Sequence, residues 1–174
     1  TVTRRQRQMC IRDRVNICHY GDSQIEGDRM ISFIRQRLQT QFGGAGPGLI
    51  PAINVYSTIS FHHNYSSNFQ RKIIFGKEKL SSNKYGIMLS SAVFQIDSSK
   101  ASKGIPSEAW IELTPSNVAY SRCKRYNNLS VYYNSCNSPC SIEIYNKGEL
   151  IVKDSLKTDG LANVFKWKFS STPE

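Results

Sequence analysis

The sequence is short of the groups from which most active sites are built. It holds 3 histidines, His19, His62 and His63, and 13 acidic residues against 23 basic ones. With so few imidazoles, any acid–base chemistry has few candidates for its base. No apolar run approaches the roughly 18–20 residues that a membrane-spanning helix needs. The N-terminus shows neither the apolar core nor the small-residue cleavage site of a secretory signal. The glycine-rich stretch 43–48 lacks the Lys-Ser/Thr that would make it a phosphate-binding loop. Cys123, Cys136 and Cys140 cluster without a nearby histidine, which leaves a zinc site short of ligands. No internal repeat and no long linker is evident.

The scarcity of acid gives a formal charge of +10. A charge of that size invites a nucleic-acid reading. The first fourteen residues distort it, because Arg4, Arg5, Arg7, Arg12 and Arg14 stand there against Asp13 alone. The remaining basic residues are scattered among acidic and polar neighbours, the pattern of a solvated surface. No nucleic-acid partner is expected. Met9-Cys10-Ile11-Arg12-Asp13 is what ATG-TGT-ATA-AGA-GAC encodes, and it resembles a translated transposon-end sequencing adapter. A basic arm is the alternative. Residues 1–14 are therefore set aside, and the gene is expected to enter near Val15, with any export signal upstream.

What is present is organised around residues 15–28. A short apolar run, Val15 to Tyr20, leads into Gly21-Asp22-Ser23, and a helical pattern follows at once. Met30, Ile31, Ile34, Leu38 and Phe42 recur at spacings of three and four and share one helix face. Arg29, Arg35, Gln36, Gln39 and Thr40 fall largely on the other. The helix is predicted over residues 26–42, with Asp28 capping or loading its first turn and Gly43-Gly44 ending it in a left-handed cap. Strand, turn and helix in this order lift the Ser23 hydroxyl to a sheet end and aim a helix N-terminus at the reacting group. Ser23 is the candidate nucleophile, and its backbone N–H a candidate oxyanion donor. Gly21 and Asp22 form the turn. The plainer alternative is an ordinary turn with a helix-capping serine.

From about Ile53 helical periodicity does not return. Short runs rich in Ser, Tyr, Ile, Val and Phe alternate with turn residues. Strands are expected at 56–62, 72–75, 87–90, 93–96, 109–113, 128–133, 141–145, 149–152 and 163–169. Asn146-Lys147-Gly148 joins two of them as a hairpin. Strands at this spacing indicate a β-sandwich over roughly residues 59–170. Tyr85, Trp110, Tyr120, Tyr126, Tyr132, Tyr133 and Trp167 are candidates for stacking on sugar rings, although strand aromatics are commonly core. Trp167 alternates with Lys166 and Lys168, which points it inward if the lysines face solvent. Arg122, Arg125 and Tyr126 make the best basic-aromatic patch for an anionic glycan. A Cys136–Cys140 disulfide across a turn and three free thiols both remain open.

The block from His19 to Asp28, with Phe42 to Leu49 and its glycines, resembles the opening of the SGNH, or GDSL-type, hydrolases. It is most similar to members with a β-sandwich, carbohydrate-binding-like insert soon after, as in peptidoglycan O-acetylesterases. The resemblance rests on residues 15–51. It implies an α/β plus all-β protein. Residues 15–58 would begin a three-layer α/β/α hydrolase fold, residues 59–170 would form a jelly-roll-like insert, and residues 171–174 would return to the hydrolase domain. It implies a serine esterase of exported, periplasmic or cell-envelope location acting on O-acylated carbohydrate, with no metal or organic cofactor. The family's later Gly-x-Asn-Asp and Asp-x-x-His blocks do not occur in this sequence. A triad through His63 is a minor alternative, and residues 15–174 alone are expected to show little esterase activity. The reading of another class is a non-catalytic glycan-binding module.

Overall fold

A computed structural model describes Ile17, His19, Gly21 and residues 25–86 and 88–173. The chain divides into two compact units, Thr1–Lys124 and Arg125–Glu174. Secondary structure is mixed, with few helices and several antiparallel strand pairs.

The first element among the described residues is a 3-10 turn, Glu26–Asp28, followed by helix α1, Arg29–Phe42. The predicted helix over 26–42 is thus present from Arg29 onward, while Gly27 at φ 75° and Asp28 at φ 62° break its predicted first turn. Its caps differ from expectation. Asp28 stands at the N-cap in the left-handed region at φ 62°, and its side chain makes no capping bond. The carboxylate is engaged elsewhere, as shown below. Gly43 ends the helix at φ 87° and ψ 177°, a glycine-only extended turn instead of a left-handed cap.

Helix α1 also packs by its polar side. Ser32 is 2% exposed and its hydroxyl donates to the Arg29 carbonyl. Arg35, Gln36 and Gln39 are half-buried. On the apolar stripe Met30 is 51% exposed, Ile34 41% and Phe42 54%, while Ile31 and Leu38 are half-buried. Phe33 is also exposed, and the Arg37 guanidinium lies 5.3 Å from its ring centre.

Four strands follow in this unit. β1, Phe61–Tyr65, pairs antiparallel with β4, Ile111–Pro115, and β2, Phe69–Ile73, pairs antiparallel with β3, Ser90–Phe94. The strand expected at 56–62 starts at Phe61. Of the two expected at 87–90 and 93–96, a single strand forms. Leu89 adopts φ 51° and its N–H bonds back to the Gly86 carbonyl, so extended structure begins only at Ser90. A short helix α2, Ser98–Ala101, is capped by Asp97, whose carboxylate accepts from the Ser99 N–H. Among the described residues of this unit the buried apolar ones are Ile53, Phe61, Ala119 and Cys123, accompanied by buried Ser32, Ser60 and Ser116.

The second unit is two nested antiparallel pairs. β5, Asn128–Tyr133, pairs with β8, Asn163–Lys168, and between them β6, Ser141–Asn146, pairs with β7, Glu149–Ser155. The predicted hairpin turns on Lys147 at φ 50° and Gly148 at φ 83°. Two consecutive positive φ values are what a two-residue hairpin turn of matching twist requires. Burial alternates along β5 and β6. Leu129 pairs with Trp167 and Val131 with Phe165 on one face, while Ser130 pairs with Lys166 on the other. Lys166 and Lys168 are exposed and Trp167 is half-buried, its indole nitrogen buried. Trp167 therefore faces inward, as the alternation predicts.

Candidate functional site

Ser23 and Asp22 lie outside the described residues. Gly21 is exposed, and a methyl group added there would meet the Ile25 side chain at 3.2 Å. His19 is exposed. Ile17, His19 and Gly21 belong to no helix or strand.

The chain at Gly27 and Asp28 is held by a polar knot. Gly27 and Asp28 both take positive φ, 75° and 62°. Asparagine and aspartate tolerate that region better than other side-chain-bearing residues. The Gly27 carbonyl accepts the Ile59 N–H at 3.1 Å. The Asp28 carboxylate takes both arms of the Arg35 guanidinium, at 2.7 and 2.8 Å. The Ser60 hydroxyl, 1% exposed, donates to Asp28 Oδ2. The Ser60 carbonyl accepts the Ser116 N–H at 3.2 Å. Burial works against the charge of Arg35, but Asp28, with a lesser contribution from Cys123, outweighs it and holds the guanidinium above its ordinary pKa. A forked, charge-assisted pair of this kind carries both strength and direction. Spaced seven apart, Asp28 and Arg35 share one side of two helical turns. That spacing is the signal in the sequence, and reading each residue separately against the helix dipole misses it.

The glycine loop is fastened by the same helix. Gly43, Gly44, Gly46 and Gly48 all have positive φ. Gln39 donates to the Gly46 carbonyl at 2.9 Å, and the Gly46 N–H donates to the Arg122 carbonyl at 2.9 Å. The Arg122 N–H donates to Gln36 at 3.3 Å, and its guanidinium donates to the Gly44 carbonyl at 3.2 Å. Arg122 thus clamps the loop to the helix. Arg125 and Tyr126 belong to the second unit. Arg125 is exposed, whereas Tyr126 is half-buried, its N–H donating to Thr172 at 3.3 Å and its phenol pushed up by burial.

The histidine pair divides across β1. His62 is exposed and pairs with Thr114 on β4, while His63 pairs with Leu113. The His63 ring stands 6.2 Å from Phe61 and 5.7 Å, edge-on, from Tyr65. Both its nitrogens are buried without a hydrogen-bond partner among the described residues. Burial holds its pKa below the ordinary value, with an opposing effect from the Ala52 backbone. Among the described residues no serine hydroxyl bonds to it. A cleft of about 250 Å³ lies beside the pair, lined by Asn54, Tyr56, Thr58, His62 and Asn64 among others.

The candidate stacking aromatics sort by exposure. Tyr132, Trp110 and Tyr120 are open to solvent. Tyr85 and Tyr133 are half-buried, the first donating its hydroxyl to the Ile73 carbonyl and the second accepting the Lys157 N–H. Cys123, Cys136 and Cys140 are free thiols. Among the described residues no group of three or more His, Cys, Asp or Glu side chains is arranged to hold a metal ion, and no helix is long and apolar enough to cross a membrane.

Comparison with protein-family models, curated proteins and solved structures finds no match for the chain.

Proposed function

We propose that this chain carries the first catalytic block of an exported SGNH-type serine esterase that acts on O-acylated carbohydrate, such as an O-acetylated cell-wall glycan. The observation that carries the reading is the placing of Gly21-Asp22-Ser23 immediately before the 3-10 turn and helix of 26–42, with the glycine loop 43–48 following that helix directly. Two further features support it. The glycine loop is tied to α1 through Gln39 and Arg122, the fastening that a backbone segment near a reacting group requires. The exposed stripe of Met30, Ile34 and Phe42 offers an apolar surface of the kind that a helix of an α/β/α fold lays against its sheet.

In this mechanism the Ser23 hydroxyl attacks the ester carbonyl and the Ser23 N–H stabilises the resulting oxyanion. A serine hydroxyl needs a base, and His63, half-buried with both ring nitrogens buried and its ring between Phe61 and Tyr65, does not offer one. The base is assigned to an Asp-x-x-His block outside this sequence. The test is hydrolysis of aryl acetates by the gene product that contains this chain. Ser23→Ala is expected to lower kcat/KM by about 10³-fold or more. Unchanged turnover in Ser23→Ala would rule the assignment out. This chain alone is expected to show no Ser23-dependent turnover.

A second reading is favoured by one observation. Tyr132 is 69% exposed on the outer face of the β5–β8 ribbon, where Lys166 and Lys168 also lie. A glycan-binding module would use such an aromatic with flanking cations. Retention of the chain on insoluble cell-wall glycan, lost in Tyr132→Ala, supports it. Equal retention of both proteins counts against it.

A further inference from the structure

The second unit contains a pair of thiols that neither reading uses. Cys136 and Cys140 are both half-buried and free. Pro139 and a bend at Ser138 lie between them, in the connection from β5 to β6. Each cysteine is anchored through its backbone to the connection between β7 and β8. The Cys136 carbonyl accepts the Gly160 N–H at 3.1 Å, and the Cys140 carbonyl accepts the Leu156 N–H at 2.8 Å. At Gly160 an added Cβ would come within 2.6 Å of the Asn137 side-chain oxygen, so the two connections are closely apposed.

Only the sulfurs are lightly held. The Cys136 thiol donates to the Ser138 carbonyl at 3.5 Å, and the Cys140 thiol donates to the Ser141 carbonyl at 3.7 Å. Sulfhydryl donors are weak, and giving up these bonds costs little. The two cysteines lie four positions apart in one short connection. Burial pushes the Cys140 thiol up, and the adjacent Cys136 pushes it further in the same direction. Cys123, the remaining described cysteine, is buried beside Arg35 in the first unit.

We propose that Cys136 and Cys140 form a reversible disulfide that closes the β5–β6 connection while its backbone anchors to the β7–β8 connection stay in place. The oxidant is a low-molecular-weight disulfide of the glutathione class. One protein thiolate attacks it, forms a mixed disulfide and releases one glutathione thiolate. The second protein thiolate then attacks the protein sulfur of that mixed disulfide and releases the second glutathione. Two electrons pass to the oxidant, and the two thiol protons end on the released glutathiones. The five-residue segment makes the second step intramolecular, so the mixed disulfide does not accumulate.

The test uses the full chain equilibrated with oxidised glutathione, quenched, alkylated and mapped by mass spectrometry. The expected result is a peptide spanning 136–140 that has lost two hydrogens, takes no alkylating agent and retains no glutathione. Cys123 should become alkylatable once the chain is unfolded. Cys136→Ser and Cys140→Ser should each retain one glutathione on the remaining cysteine. The proposal is overturned if the wild-type chain retains glutathione at either position. It is equally overturned if either cysteine bridges to Cys10, Cys18 or Cys123, or if both stay alkylatable under an oxidising poise. The wild-type readout stands without the variants, so a folding defect in either does not blunt it.

Discussion

The two units solve the packing problem in opposite ways. In the second, strand alternation sorts the side chains, with Leu129, Val131, Phe165 and Trp167 on one face of the ribbon and Ser130, Lys166 and Lys168 on the other. In the first, the helix turns its polar side inward and is secured by an ion pair, a serine and a glycine loop, leaving Met30, Phe33, Ile34 and Phe42 open. An apolar periodicity thus shows that a helix forms and which residues share a face. It does not show that the packing partner lies within the same stretch of chain.

That contrast can be broken by removing the anchor of each unit in turn. The largest effect is expected from Phe165→Ala, which empties the one buried apolar position described in the second unit. Large-to-small changes of this kind cost about 3–5 kcal/mol. Hydrogen exchange should show β5 and β8 losing protection while α1 keeps its own. Arg35→Ala leaves a mostly buried Asp28 carboxylate with one partner in place of two. Breaking a buried ion pair from one side costs about 3 kcal/mol or more. Here the loss of protection should fall on α1 and spare β5–β8. If both variants destabilise both units equally, the two are not separately anchored and the comparison fails.

A smaller effect is expected at the hairpin. Gly148→Ala introduces a side chain at φ 83° with nothing within 4 Å to clash against, so the cost is conformational. It should be about 1 kcal/mol, read as faster exchange in β6 and β7.

The smallest effect concerns pH in the first unit. His63 is held below its ordinary value of 6.5, chiefly by burial. The folded state therefore favours the neutral ring and the unfolded chain binds the proton more readily. The contribution of His63 to stability is present above pH 6.5 and is lost as pH falls through the depressed folded value. Denaturant titrations at falling pH should show the first unit weakening over that window, and His63→Phe should remove the dependence. An unchanged slope in His63→Phe would assign the effect to other groups.

How much of this is legible in the sequence depends on how local the deciding physics is. The helix over 26–42 and the strand Asn128–Tyr133 follow from periodicity, and the Lys147-Gly148 turn from its residue types. Of the positions that escape prediction, Asp28 and Arg122 are set by partners elsewhere in the chain and Leu89 by a turn back to Gly86. Asp28 reads as a helix cap, but Arg35 and Ser60 claim its carboxylate. Leu89 reads as strand, but its left-handed backbone starts β3 one residue later. Arg122 reads as an open cation, yet it clamps the Gly44 carbonyl some eighty positions earlier. The seven-residue spacing of Asp28 and Arg35 carries a signal, but no local pattern encodes the pairings with Ser60 or Gly44.

Ser23 has a clear sequence context, and its chemistry is the central claim. The most direct measurement is covalent labelling of the gene product that contains this chain by a fluorophosphonate, which reacts with activated serines. The expected result is a single phosphonylated serine that maps to Ser23 and disappears in Ser23→Ala. Labelling at another serine, or none under conditions where aryl acetates are turned over, would contradict it.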